Sequence, residues 1–334
     1  MLVSRLCQVS ITPAARALLR QSAPPAHAAR FQPLRKFTGG GRSGFKERLA
    51  ERRSLQEQIT QPAGETAFTV GRGAVAGGAA LGLGALCYYG LGLSNQASIV
   101  DQAVLWPQYV RDRVHTTYLY VAGSVVATAA AATATLRTPA LLNFVGKTSF
   151  LSIAACIAAM IGSGMLVQSI PYEPGFGVKQ LAWLGHTAIL GAVIAPICLL
   201  GGPIIIRAAW YTAGITGALS TIAVCAPSDK FMNMAGPLAI GLGAVFAASL
   251  GSMFFPPTTA LGAGLYSMSV YGGLLLFSGL LLYKTQRIIR EAEVVPMYGQ
   301  RQFDPVASAI AIYMDIINIF LRVAMILAGG NRRR

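Results

Sequence analysis

Apolar residues fall into eight runs, at about 69–93, 114–136, 148–170, 180–200, 203–225, 232–255, 259–283 and 305–328. A helix needs about 20 mostly apolar residues to cross a hydrocarbon core of roughly 30 Å, so each run predicts one membrane-spanning helix. The breaks between runs are well marked. Arg137 and Pro139 end the second, and Pro171, Glu173 and Pro174 close the third. Gly201-Gly202-Pro203 turns the fourth into the fifth, Pro227 to Lys230 ends the fifth, and Pro256-Pro257 ends the sixth. A charged loop with Lys284, Arg287, Arg290, Glu291, Glu293, Arg301 and Asp304 follows the seventh. Asp304 then reads as the N-cap, and Pro305 as the first residue, of the last helix. The pattern predicts an all-α polytopic membrane protein.

The last run, Pro305 to Ala328, carries Asp315, Asn318 and Arg322 among its apolar residues. Spacings of three and seven put all three on one helical face. A charge at mid-membrane costs on the order of 3 kcal/mol even on lenient insertion scales, so that face should point into the protein. The plain alternative is a packing seam, with Asn318 bonding across helices and Arg322 snorkelling to an interface. Asp315 sits mid-helix and cannot snorkel far, which makes it the candidate functional carboxylate. His186 in the fourth run could relay protons, although a lone membrane histidine is more often a packed hydrogen-bonding group. Arg207, near the start of the fifth run, suits an interfacial position. Glu173 and Asp229 lie in loops and could gather cations at an entrance, though solvated loop charges need no function.

Composition fits this picture: 54% of the 334 residues are hydrophobic and 12% charged, where soluble domains average about 25% charged. The net charge of +15 is concentrated in the first 53 residues and the Arg332-Arg333-Arg334 tail. No basic helix with interleaved aromatics faces water, so nucleic acid is not an expected partner. Residues 1–46 are rich in Arg, Leu, Ala and Ser and lack acidic residues, the composition of a mitochondrial transit peptide. Residues 47–68 read as a short exposed segment, 69–93 as a glycine-rich transmembrane helix, 94–113 as an interfacial linker and 329–334 as a basic tail. Within 69–93, the spacings Gly73 to Gly77 and Gly78 to Gly82 suit close helix–helix contact. Eight crossings put both termini on one side, expected to be the matrix of a mitochondrion, with the chain in its inner membrane.

No cofactor and no enzymatic activity are expected. Gly71-x-Gly73-x-x-Ala76 lacks a preceding strand and a following acidic residue, so it is no dinucleotide fingerprint. There is no GxSxG or HExxH motif, and Asp315 has no second intramembrane aspartate with which to form a protease dyad. Cys7, Cys87, Cys156, Cys198 and Cys225 form no CxxC pair and read as small hydrophobes.

Tyr283-Lys284-Thr285-Gln286 at the end of the seventh run and Tyr313-Met314-Asp315-Ile316-Ile317-Asn318-Ile319-Phe320 in the eighth resemble motifs of the transmembrane Bax inhibitor motif family. The similarity covers roughly residues 110–328. The extra first helix and transit-like start resemble the mitochondrial member of that family. The resemblance implies a seven-helix core at 114–328 with the last helix central, plus one extra N-terminal helix. It also implies a pair of carboxylates that share a proton or bind a cation, one of them at Asp315, with calcium as a possible ligand there. The family's second carboxylate position holds Lys284. A lysine there would pair with Asp315, leave no shared proton, and place a positive charge where calcium should pass. Implied functions are a calcium/proton exchanger or leak channel gated by Asp315, with roles in cristae organisation and apoptosis control, or a non-transporting scaffold. Expected partners are the lipid bilayer, calcium and protons, and for the scaffold an inner-membrane protease or cytochrome c.

Overall fold

A computed structural model describes residues 66–90, 106–146, 149–227, 231–296 and 302–331. The transit-like segment 1–46, most of the 47–68 and 94–113 segments, Asp229 and the Arg332 to Arg334 tail lie outside the described residues. The elements are α1 (Thr66–Gly90), α2 (Gln108–Arg137), α3 (Pro139–Gly146), α4 (Phe150–Ser169) and α5 (Val178–Ile194). A 3-10 turn, Ala195–Leu200, follows α5. The chain continues with α6 (Gly202–Cys225), α7 (Ala235–Phe254), α8 (Ala260–Ser267), α9 (Gly273–Val294) and α10 (Pro305–Asn331). One π turn, Met268–Gly272, joins α8 to α9, so the two form a single crossing. The described residues contain eight helical stretches long and apolar enough to cross a membrane.

Prolines and glycines set the ends. Gly201, at φ 113°, reverses the chain between the 3-10 turn and α6, a conformation that a Cβ disfavours. Thr259 caps α8 by accepting a hydrogen bond from the Gly262 amide at 3.1 Å. Asp304 Oδ1 accepts from the Val306 and Ala307 amides at 3.0 Å each, which caps α10 as the sequence predicts.

The last helix is the hub. α10 packs chiefly against α2, α6 and α9, and its residues Val306, Ala309, Ile312, Tyr313, Ile319 and Ala324 are buried. α5 lies along α2, α4 lies outside α5, and α7 covers α8, the π turn and α9. α1 rests on the outside against α6, α8 and the π turn. Its closest approaches are Gly71, where a Cβ would strike Tyr271 and Ser267, and Gly78, where one would strike Leu275. Gly73, Gly77 and Gly82 face open space, so of the four glycines whose spacing suits a helix contact, Gly78 alone makes one.

Two helices reach further than the apolar runs. α2 begins at Gln108, ahead of the run, because Val110 packs inside while Arg111 and Asp112 face out. The charged stretch after residue 283 is helical to Val294 rather than a loop. Thr285, Gln286, Ile288, Ile289 and Ala292 form its buried face, with Arg287 and Glu291 paired at 2.8 Å outside.

Candidate functional site

α9 and α10 cross so that Lys284 and Asp315 meet. Lys284 Nζ donates to Asp315 Oδ1 at 2.9 Å and to the Ala311 carbonyl at 3.1 Å. The Asp315 side chain is 1% exposed and that of Lys284 25% exposed. Asp315 stands about 15 Å along α10 from Pro305 at 1.5 Å per residue, roughly half the depth of a bilayer core. Its Oδ2 is buried and has no hydrogen-bond partner. Above the pair a cleft of about 710 Å³ opens between the end of α9 and the start of α10, lined by Lys284, Arg287, Glu291, Gln302, Asp304 and Ala311. The ammonium therefore lies between the cleft and the carboxylate. Among the described residues Asp315 is the only buried carboxylate.

Asn318 and Arg322 continue the inward stripe, and in another way than the packing seam that was its plain alternative. Asn318 does not bond across helices: its Nδ2 donates to the Met314 carbonyl of its own helix at 2.8 Å. Arg322 does not snorkel. It is 8% exposed, its Nη1 donates to Asn318 Oδ1 at 2.8 Å and to the Asn318 carbonyl at 3.0 Å, and its guanidinium lies 4.4 Å above the Phe277 ring. The room comes from Gly273, where a Cβ would fall on that guanidinium.

The remaining candidates are dispersed. His186 is buried between α5 and α4, with Nδ1 2.8 Å from Ser163 Oγ and Nε2 unpartnered. Arg207 is exposed near the start of α6, and Glu173 is exposed in the loop before α5. Asp229 is outside the described residues. No group of three His, Cys, Asp or Glu residues that could hold a metal occurs among the described residues. A calcium ion takes six to eight oxygens; at Asp315 it would meet one carboxylate with Lys284 already beside it.

Several polar residues that order the site carry little signal in the sequence. Lys179, 2% exposed, donates to Asp304 Oδ2 at 2.5 Å and to the Ile170 carbonyl at 2.7 Å, tying the start of α5 to the cap of α10. Nearby, outside the spans, burial pushes the Tyr172 phenol up, and Tyr120 and the Asp304 carboxylate push it the same way. Arg113 donates to the carbonyls of Ala292 at 2.9 Å and Val295 at 2.6 Å, closing the end of α9. Gln286, two residues past Lys284, donates to Ala223 and Pro227 carbonyls at 3.1 and 2.8 Å and accepts from the Phe231 amide at 2.9 Å. It satisfies the end of α6 and so fixes α9 beside it. Its place in the Tyr-Lys-Thr-Gln motif was the available signal.

A family model described as "Inhibitor of apoptosis-promoting Bax1" matches residues 110–333, more than half of the chain. The chain belongs to the Bax inhibitor family. The matched span takes in nearly all of α2 and everything after it, while α1 lies outside it. Growth hormone-inducible transmembrane protein of Rattus norvegicus is 57% identical over 283 residues, which cover 84% of this chain and 82% of that one. Bax inhibitor 1 of Homo sapiens is 28% identical over 184 residues, 53% of this chain and 73% of its own. Bax inhibitor 1 of Arabidopsis thaliana is 28% identical over 182 residues, 53% and 67% of the two chains. This member of the Bax inhibitor family is a multi-pass membrane protein with its buried carboxylate on the central helix.

Proposed function

We propose that the chain is a pathway for calcium exchanged against protons, in the mitochondrial inner membrane, latched by the Lys284–Asp315 pair. One observation carries the reading: the only buried carboxylate among the described residues lies behind a single ammonium that lines a cleft. A proton that reaches Asp315 from the cleft removes the charge that holds Lys284. The lysine, already a quarter exposed, can then swing into the cleft and uncover the carboxyl. While the pair is closed, its positive partner repels an approaching divalent cation, so basal flux is low.

The test is calcium uptake into proteoliposomes across a pH step. Lys284→Asp should raise flux at least tenfold, and Asp315→Asn should abolish what remains. Equal flux in all three chains would remove the latch.

A second reading is a non-transporting scaffold that restrains an inner-membrane protease or retains cytochrome c, with consequences for cristae and apoptosis. Lys284 in the cation's place favours it. Such a scaffold passes no calcium at any pH, with or without Lys284.

A further inference from the structure

A second cavity, on the far side of α10 from Asp315, has no part in the latch. It is an apolar groove of about 610 Å³ between α2, the 3-10 turn, α6 and α10, within the size range of small-molecule sites. Cys198, Ile205, Thr212, Thr216, Ile317 and Phe320 are among its lining residues. Thr212 is 4% exposed, and the buried hydroxyls of Thr212 and Thr216 have no hydrogen-bond partner. Threonines elsewhere in these helices solve that problem locally. Thr221, on α6 itself, donates to the Gly217 carbonyl at 2.8 Å, and Thr117 and Thr135 donate to carbonyls one turn back. Thr212 and Thr216 lie about 15 and 21 Å along α6 from Gly202, near the middle of a 30 Å core. An acyl tail at that depth offers only methylenes, and phospholipids, fatty acids and sterols keep their oxygens at the interface.

We propose that this groove binds a lipid-soluble carbonyl compound, specifically a quinone. A para-quinone carries two acceptors on an otherwise apolar ring, separated by roughly one helical turn and so close to the rise of about 6 Å between two donors at i and i+4. The probe is decylubiquinone, whose ring has no free carbon for thiol addition. The full chain in lipid nanodiscs is treated with N-ethylmaleimide, and Cys198 modification is followed by peptide mass spectrometry. Cys87, exposed on α1, is the internal reference. Decylubiquinone should slow Cys198 labelling at least threefold and leave Cys87 unchanged, whereas hexadecane should change neither rate. Thr212→Val/Thr216→Val, which keeps shape and loses both hydroxyls, should abolish protection at an unchanged unfolding temperature. Equal protection by hexadecane would make the groove a plain acyl slot. That result, protection that survives in the double variant, or no protection from decylubiquinone, overturns the proposal.

Discussion

Asp315 brings one negative charge to the centre of the bundle, and its cost depends on which partner is removed. Lys284→Met leaves a buried, uncompensated carboxylate and should cost about 3–5 kcal/mol. Asp315→Asn leaves Lys284 free to turn into the cleft and should cost only about 1–2 kcal/mol. Lys284→Met/Asp315→Leu should recover most of the loss, since an apolar pair of similar size needs no desolvation. Thermal unfolding in detergent ranks the three, and Asp315→Asn below Lys284→Met would contradict the asymmetry. Arg322 gives a second residue-scale prediction. Its guanidinium is pinned by Asn318 and Phe277 and cannot yield to a new methyl group. Gly273→Ala should therefore cost about 1–3 kcal/mol by overpacking, and the loss should shrink markedly in an Arg322→Met background. If the two effects simply add, the Gly273 notch is not what seats Arg322. The sequence marks Asp315 because a charge at mid-helix is costly there, and Lys284 because it stands at the family's second carboxylate position. It leaves Arg322 open between an inward face and snorkelling, because a missing Cβ on another helix decides where the guanidinium is seated.

At the scale of elements, the charge run after residue 283 hides an amphipathic helix. Its outward residues are charged, and its inward residues are few and short enough to read as a loop: Ile288, Ile289 and Ala292. The helix end is closed from α2 by Arg113, a contact between distant segments that no local pattern reveals. Arg113→Met should leave those carbonyls unsatisfied, at about 1–3 kcal/mol. Amide exchange should then accelerate in residues 289–296 and stay unchanged in α5; uniform exchange rates would remove Arg113's role as a cap. The apolar runs themselves were legible, because length and proline punctuation fix where a helix can cross. The Asp304 cap was legible too, since it rests on neighbours in sequence. Its ion pair with Lys179 was not, because the pairing needs α5 and α10 side by side.

For the whole molecule, the packing separates a core from an addition. α10 touches α2, α6 and α9 and supplies much of the buried interior, whereas α1 has one buried residue among those described, Gly71. α1 is held by contacts that include two glycine approaches, the Phe68–Tyr266 ring pair at 6.5 Å and Ser267 Oγ donating to the Ala67 carbonyl at 2.7 Å. A chain beginning at Trp106 exposes Tyr271, Leu275 and Ser267 to lipid, which is as apolar as the helix it replaces. What is lost is the van der Waals fit, the Phe68–Tyr266 ring contact and the Ser267–Ala67 hydrogen bond, on the order of 1–2 kcal/mol. For a domain of this size that lowers the unfolding temperature by a few degrees, roughly 2–4 °C per kcal/mol. A chain ending at Asp304 loses α10, leaves Lys284 without Asp315 and opens the faces of three helices at once, so it should not give a monodisperse species in detergent. Size exclusion and thermal unfolding of the two truncations decide the point. If removing α1 collapses the bundle as removing α10 does, the outer helix is part of the core and the hub assigned to α10 is wrong.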